Sequence, residues 1–398
     1  MNRLFAYNYP VLLSLVIFMS YACEQESPCL GLDCVPQIKT WLAAKRCMVP
    51  EIQVQSELTC TDLEPVLPPL VLSEQSLSVK SLFAHETWFE FPESNIELQW
   101  QILDADTIIL EGTQNQIEQT GQIGQIDLSP LKNKFSQAKL VTLELTIDGA
   151  CEANLSWSKE FILIDDISTQ SGQTILTYLK AGPTQDELSI WGDEVIEYLS
   201  GDNLSDGFDL QESALGTPSF DQEGYSDVRL AYEQTLSLGA GGEVIIELKQ
   251  SISNQMGPDL AIFENSFNGS FIEYAWIEVS SDGESFVRFP NYYFAQQALG
   301  SFDERADIQD IGLAGHSMAG QGVGFDLTQL THYPEVRLGQ VDLNQIRFVK
   351  VVDIVGDGEA RDTLMSPIYD PYPTQGSAGF DLDAIGGLTE PSGLCKEK

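Results

Sequence analysis

The chain is poor in histidine and in cations: 3 His and 20 Lys+Arg stand among 398 residues, against 60 Asp+Glu, for a formal net charge of −40. Nucleic acid and anionic membrane surfaces both need clustered Lys/Arg, so neither is expected as a partner. Three histidines leave little for zinc or for imidazole acid–base chemistry. No apolar run reaches the about 20 residues that a membrane-spanning helix takes, so membrane contact is expected only through a lipid anchor. No Cys-x-x-Cys pair occurs to suggest a zinc site. What is present suits folded domains. Hydrophobic residues make up 43% and aromatics 10%, too rich for charge-driven disorder. At about 100–200 residues per domain, the length suggests two or three. The carboxylate surplus suits a hard cation, and calcium is the expected cofactor.

Arg3 followed by the apolar run Val11–Met19 reads as a signal peptide over residues 1–22. Ser20-Tyr21-Ala22-Cys23 resembles the lipobox of bacterial lipoproteins, and the resemblance implies an acylated Cys23 as the mature N-terminus on an outer membrane. Glu24 and Glu26 resemble the acidic tethers of lipoproteins displayed on the cell surface. The other reading is an ordinary secretory signal, with Cys23 left for a disulfide. With Cys23 lipidated, Cys29, Cys34, Cys47, Cys60, Cys151 and Cys395 remain, and an even number in an exported chain reads as disulfides. The spacing does not choose among fifteen connectivities. Cys151 or Cys395 pairing with Cys47 or Cys60 stays open.

Residues 23–73 read as a Cys-rich tether that ends in a proline-rich linker. Between 74 and 165, strand-length runs at Thr87–Phe91, Ile96–Ile102, Thr107–Leu110, Leu140–Ile147 and Phe161–Ile164 predict an immunoglobulin-like β-sandwich. Residues 166–200 read as a partly helical connector, around Thr174–Lys180 and Asp193–Leu199. From 201 to 398 the punctuation is again all-β: Glu243–Leu248, Asp259–Phe263, Glu273–Ser280, Ser285–Phe289, Ile346–Asp353 and Phe380–Ile385 predict strands of a larger jelly roll. Several alternate apolar with polar residues, as expected where one face meets a core and the other water.

In this C-terminal unit Gly257-Pro-Asp-Leu-Ala-Ile-Phe-Glu-Asn265, Ile277-Glu-Val-Ser-Ser-Asp-Gly283, Ile368-Tyr-Asp-Pro-Tyr-Pro373 and Gly379-Phe-Asp-Leu-Asp-Ala-Ile385 follow one another in order. Together they resemble a family of bacterial cell-surface proteins with a galactose-binding, discoidin-like jelly roll. The resemblance implies a non-enzymatic surface binding module, often calcium-stabilised, and names no ligand.

Carboxylates in turns, rather than along a helix face, are how calcium sites are built. The candidate ligands fall in two groups: Asp353, Asp357, Asp370, Asp381 and Asp383 in one, Asp259, Glu264 and Asn265 in the other. Solvated turn residues are the plainer alternative, since Asp and Gly are common turn formers. Tyr369 and Tyr372 flank Asp370, and Tyr292 and Tyr293 follow a strand; tyrosine offers a flat apolar face with a polar tip for stacking on a glycan or another extracellular ligand. Packed loop aromatics are the alternative here too. An accessory role beside a TonB-dependent outer-membrane transporter, capturing a glycan or a corrinoid, would use the same topology with a different partner. Gly315-His-Ser-Met-Ala319 resembles the nucleophile elbow of lipases, with Asp326 and His332 to complete a secreted esterase. Its flanks lack the strand and helix that the elbow needs, so no enzyme is expected.

Overall fold

The computed structural model describes residues 36–59, 62, 64, 70–72, 76–78, 97–115, 125–132, 134–135, 138–149, 154–164, 166–219, 235–265, 271–295, 297–305, 307–315 and 321–395. The leader, Cys23, Cys29, Cys34, Cys60, Cys151, the expected strand Thr87–Phe91 and the serine of the elbow lie outside the described residues. No helix among those described is long and apolar enough to cross a membrane.

The fold is mainly β. In the N-terminal part run β1 (Leu70–Leu72), β2 (Ser76–Ser78), β3 (Glu97–Asp104), β4 (Thr107–Asn115), β5 (Gln125–Asp127), β6 (Lys139–Asp148) and β7 (Leu155–Ile164). Four of these form an antiparallel sheet in the order β7-β6-β3-β4, with β1 added parallel along β7. Its inner face is the expected alternation: Val141, Leu143, Leu145 and Ile147 of β6 are buried, and the residues between them are not. The outer face carries polar cross-strand pairs such as Thr146 with Ser156.

The C-terminal part contains β8 (Ala181–Thr184), β9 (Ile190–Leu199), β10 (Leu236–Ser237), β11 (Glu243–Ile252), β12 (Leu260–Glu264), β13 (Ala275–Ser280), β14 (Val287–Arg288), β15 (Tyr292–Tyr293), β16 (Asp310–Ile311), β17 (Gln321–Phe325), β18 (Ile346–Asp353) and β19 (Asp381–Gly387). All but β15 and β16 belong to one curled ten-stranded antiparallel sheet, a half-barrel in the order β14-β13-β18-β11-β9-β19-β12-β17-β8, with β10 on β19. Curling brings its two halves face to face over Val244, Ile246, Ile277, Val349, Val351, Leu260, Ile262, Leu382 and Ile385. Each such side chain contributes about 1.5–3 kcal/mol when fully buried. On the outer face charges pair across strands, Arg288 with Glu278 at 2.6 Å and Lys350 with Glu243 at 2.8 Å. Exposed pairs of this kind contribute about 0.2–1 kcal/mol each.

Helix α1 (Pro36–Arg46) precedes both sheets, α2 (Gln170–Lys180) joins them, and the single turn α3 (Pro334–Arg337) follows β17. Thr169 caps α2 by accepting the Gly172 N–H at 3.2 Å, and Ile175 and Leu176 are buried on its inner face. The first half of the expected connector is therefore helical. The second half is not: Asp193–Leu199 is part of strand β9, paired with β11. The register skips between Ile245 and Ile246, so that Ile196 is an extra residue and Val195 and Tyr198, three apart, both pack on the core. That spacing imitates a helical face.

The segment read as a tether is, in its described part, docked on the rest of the protein: α1 buries Ile38 and Leu42 in the core of the first sheet, and the residues after it meet α2 and the C-terminal unit. Arg46 donates to the carbonyls of Tyr178 and Ala181, satisfying the open end of α2, and stacks on the Tyr178 ring. Arg337 donates to the Asp62 carbonyl, and Gln55 N–H to the Arg337 carbonyl. Of the disulfides left open by the sequence, Cys47–Cys395 is formed, across 348 positions.

Candidate functional site

Strands of the curled sheet end together at one pole. β18 ends at Asp353 opposite Ala275 of β13, and Glu264 of β12 lies opposite Leu382 of β19. Loops 239–242, 271–274, 354–373 and 374–380 cover this pole. Four carboxylates point inward beneath them: Glu273, Asp353, Asp370 and Asp381, each 3% exposed or less.

Each carboxylate pins a different stretch of loop. Asp353 accepts the Gly241 N–H at 2.7 Å and the Phe380 N–H at 2.7 Å. Gly241 has a φ of 78°, which favours glycine and lets its N–H face the carboxylate. Asp370 accepts the Tyr274 N–H at 3.1 Å, Glu273 accepts the Thr374 hydroxyl at 3.0 Å, and Asp381 accepts the Ser237 hydroxyl. A Cβ at Gly356 would stand 1.8 Å from Asp370 Oδ1, so only glycine lets that loop close.

The four groups lie within one another's electrostatic reach. Burial, and then repulsion from Asp381, Asp370 and Asp353, pushes Glu273 well above the usual carboxyl range. Burial and then Asp353 do the same to Asp370. Burial lifts Asp381 to about 8 and Asp353 to about 7, the latter held down by its two N–H donors. No described Lys or Arg pairs with any of the four. Asp381 Oδ2 and both amide atoms of Asn265, whose N–H donates to the Asp381 carbonyl, are buried without a hydrogen-bond partner. Orphaned buried oxygens beside concentrated negative charge fit a hard cation. No three His, Cys, Asp or Glu side chains among the described residues close on one point to hold a metal. A cation here would therefore draw the rest of its shell from backbone carbonyls and from the Asn265 amide.

The structure brings together only part of the expected ligand set. Asp353, Asp370 and Asp381 meet, and Glu273, which the sequence did not single out, joins them. Asp357 is exposed and accepts the Glu359 N–H at 2.9 Å, an ordinary turn. Asp383 is engaged elsewhere and accepts the Ser219 hydroxyl at 2.6 Å. Asp259 and Glu264 flank opposite ends of β12, five residues and about 17 Å apart at the usual strand rise. Asp259 instead accepts the N–H groups of Gln255 and Leu327, both at 2.9 Å, next to Asp326.

The tyrosines divide as well. Tyr292 and Tyr293 are 2% and 1% exposed, and Tyr293 packs edge-on against Tyr274 with ring centres 5.7 Å apart. Burial leaves neither face open to a ligand. Tyr369 and Tyr372 are partly buried in the loop over Asp370, Tyr369 packing on the cluster of Ile354 and Ile368. Beside them, where Leu299 bridges Pro371, loop 297–305 carries Phe302, 91% exposed. An aromatic in a polar loop has no periodicity to mark it, which is why the sequence did not reveal it.

The esterase constellation is not assembled among the described residues. His332 Nδ1 pairs with Glu64 at 2.8 Å, and Asp326 is turned to the Thr328 N–H at 2.9 Å, at the pole opposite the four carboxylates.

No family model matches the chain, and no curated protein is similar to it. Among solved structures, a glycoside hydrolase aligns over 73% of this chain at 9% identity and a TM-score of 0.17. The chain spans 58% of the length of that protein. A likeness at this level carries nothing about activity.

Proposed function

We propose that this chain is a non-catalytic surface binding module: a lipoprotein anchored through Cys23, whose C-terminal half-barrel is a jelly roll stabilised at its loop pole by calcium. The observation that supports it is the group of four buried carboxylates, Glu273, Asp353, Asp370 and Asp381, with no Lys or Arg beside it among the described residues. Bound calcium would supply the missing positive charge and let all four stay ionised. Above them Tyr369, Tyr372 and Phe302 offer aromatic faces suited to a glycan or a similar extracellular molecule.

The test is the melting temperature of the full chain in millimolar calcium, in magnesium and in chelator. A ligand that binds only the native state adds about 2.7 kcal/mol at one hundred times its Kd. The expected result is a calcium-specific rise of several degrees, lost in Asp353→Asn/Asp370→Asn. No rise, together with no metal in the purified protein, would remove calcium from the reading.

A further inference from the structure

Lys180 and Asp310 are 130 positions apart and meet inside the protein. Lys180 is the last residue of α2 and 5% exposed; Asp310 opens β16 and is fully buried. The ammonium nitrogen touches Asp310 Oδ2 and also donates to the Leu313 carbonyl at 3.0 Å, which fixes its direction. Asp310 Oδ1 has no hydrogen-bond partner. Tyr274, whose hydroxyl hydrogen-bonds Asp310, and Leu313, whose carbonyl takes the ammonium, are both 2% exposed or less. Glu264, 1% exposed, lies within electrostatic reach of Lys180.

We propose that Lys180 and Asp310 are joined by an intramolecular amide, Lys180 Nζ bonding to Asp310 Cγ with loss of one water. The bond that forms is Nζ–Cγ, and the bond that breaks is Cγ–O of the carboxyl group. The neutral amine carries two hydrogens: one stays as the amide N–H, the other leaves with the carboxyl hydroxyl as water. Nothing is oxidised or reduced, and no outside reactant is consumed.

Two conditions stop an amine and a carboxylic acid from condensing in water: both are charged, and water drives the reverse reaction. Both are relieved here. Burial moves the Lys180 ammonium down and the Asp310 carboxyl up, towards their neutral forms. The packed surroundings exclude bulk water, and the fold holds the two reacting groups in contact, as a unimolecular reaction needs. The product would bolt the end of α2 to the β15–β16 ribbon, between the two sheets. A buried ion pair of the same atoms is the competing arrangement, and it leaves the mass unchanged.

Peptide mass spectrometry of the full chain separates the two. Trypsin cannot cut after an acylated lysine, so the amide leaves one branched peptide joining residues 160–229 to 306–337, lighter by one water than its parts. In Lys180→Arg, which keeps the charge but removes the nucleophile, the branch is expected to vanish. Separate linear peptides cut after Lys180 in the wild type would overturn the proposal, whatever the variant does. So would a loss of water that persists in Lys180→Arg.

Discussion

Replacing Asp326 by Asn tests the electrostatics of the pole opposite the four carboxylates. Asp326 is buried beside Asp259, near Arg46, and caps the turn that follows β17 by accepting the Thr328 N–H. Burial lifts its carboxyl from 3.8 to about 7. Between those values the native protein keeps a proton that the unfolded chain has released. The group's contribution to stability is therefore fully present below about pH 4 and is lost as pH rises through about 7. The shift is about three units at about 1.4 kcal/mol each, which sets a ceiling of about 4 kcal/mol by pH 8. Asparagine keeps the acceptor for Thr328 and cannot ionise. Urea midpoints of the two proteins should thus be close near pH 3.5 and separate steadily up to about pH 7, the variant being the more stable, with a constant gap beyond. Even about 2 kcal/mol would move the melt by several degrees. A gap that does not change with pH, or that favours aspartate at pH 8, would refute the reasoning.

Two further outcomes are expected. Cys47→Ser/Cys395→Ser opens a loop of 348 positions; chain entropy alone puts the ceiling near ~6 kcal/mol and typical losses are about 2–4 kcal/mol, to be read from urea midpoints, with an unchanged midpoint counting against a structural clasp. Gly356→Ala forces a methyl onto Asp370 and should cost about 1–3 kcal/mol in the same assay, whereas Gly300→Ala, which meets nothing nearer than 3.4 Å, should cost much less.

Strands whose residues alternate were legible in the sequence. Ile346–Asp353 and Glu243–Leu248 were placed closely, because one face of each meets the core and the other meets water. β9 was not, because its bulge sets Val195 and Tyr198 at the spacing of a helix. For the site, closeness in sequence misled. Asp259 and Glu264 are five apart, but a strand is extended, so they are separated by its whole length. Asp353 and Asp381 were recognisable as carboxylates at strand ends near glycines, and Asp370 as a loop carboxylate between two tyrosines. Glu273 sits between Ile272 and Tyr274 in an apolar stretch, and only the meeting of four loops gives it a role. Lys180 and Asp310 are ordinary residues in their local context, and their contact depends on where α2 comes to rest against β16.

The clasp at the N-terminal segment also decides how the molecule would carry a load. Cys395 lies beside Gly257, just ahead of β12, so the covalent bridge sits at the pole opposite the carboxylates. A pull arriving from upstream of Pro36 meets first the packing of Ile38 and Leu42 on the first sheet and the Arg46 hydrogen bonds to Tyr178 and Ala181, and then the covalent bridge at Cys47. From there it is shared with the C-terminal segment after β19. A chain held by its N-terminal side would therefore hang from a welded joint, with its aromatic loops turned away from the attachment.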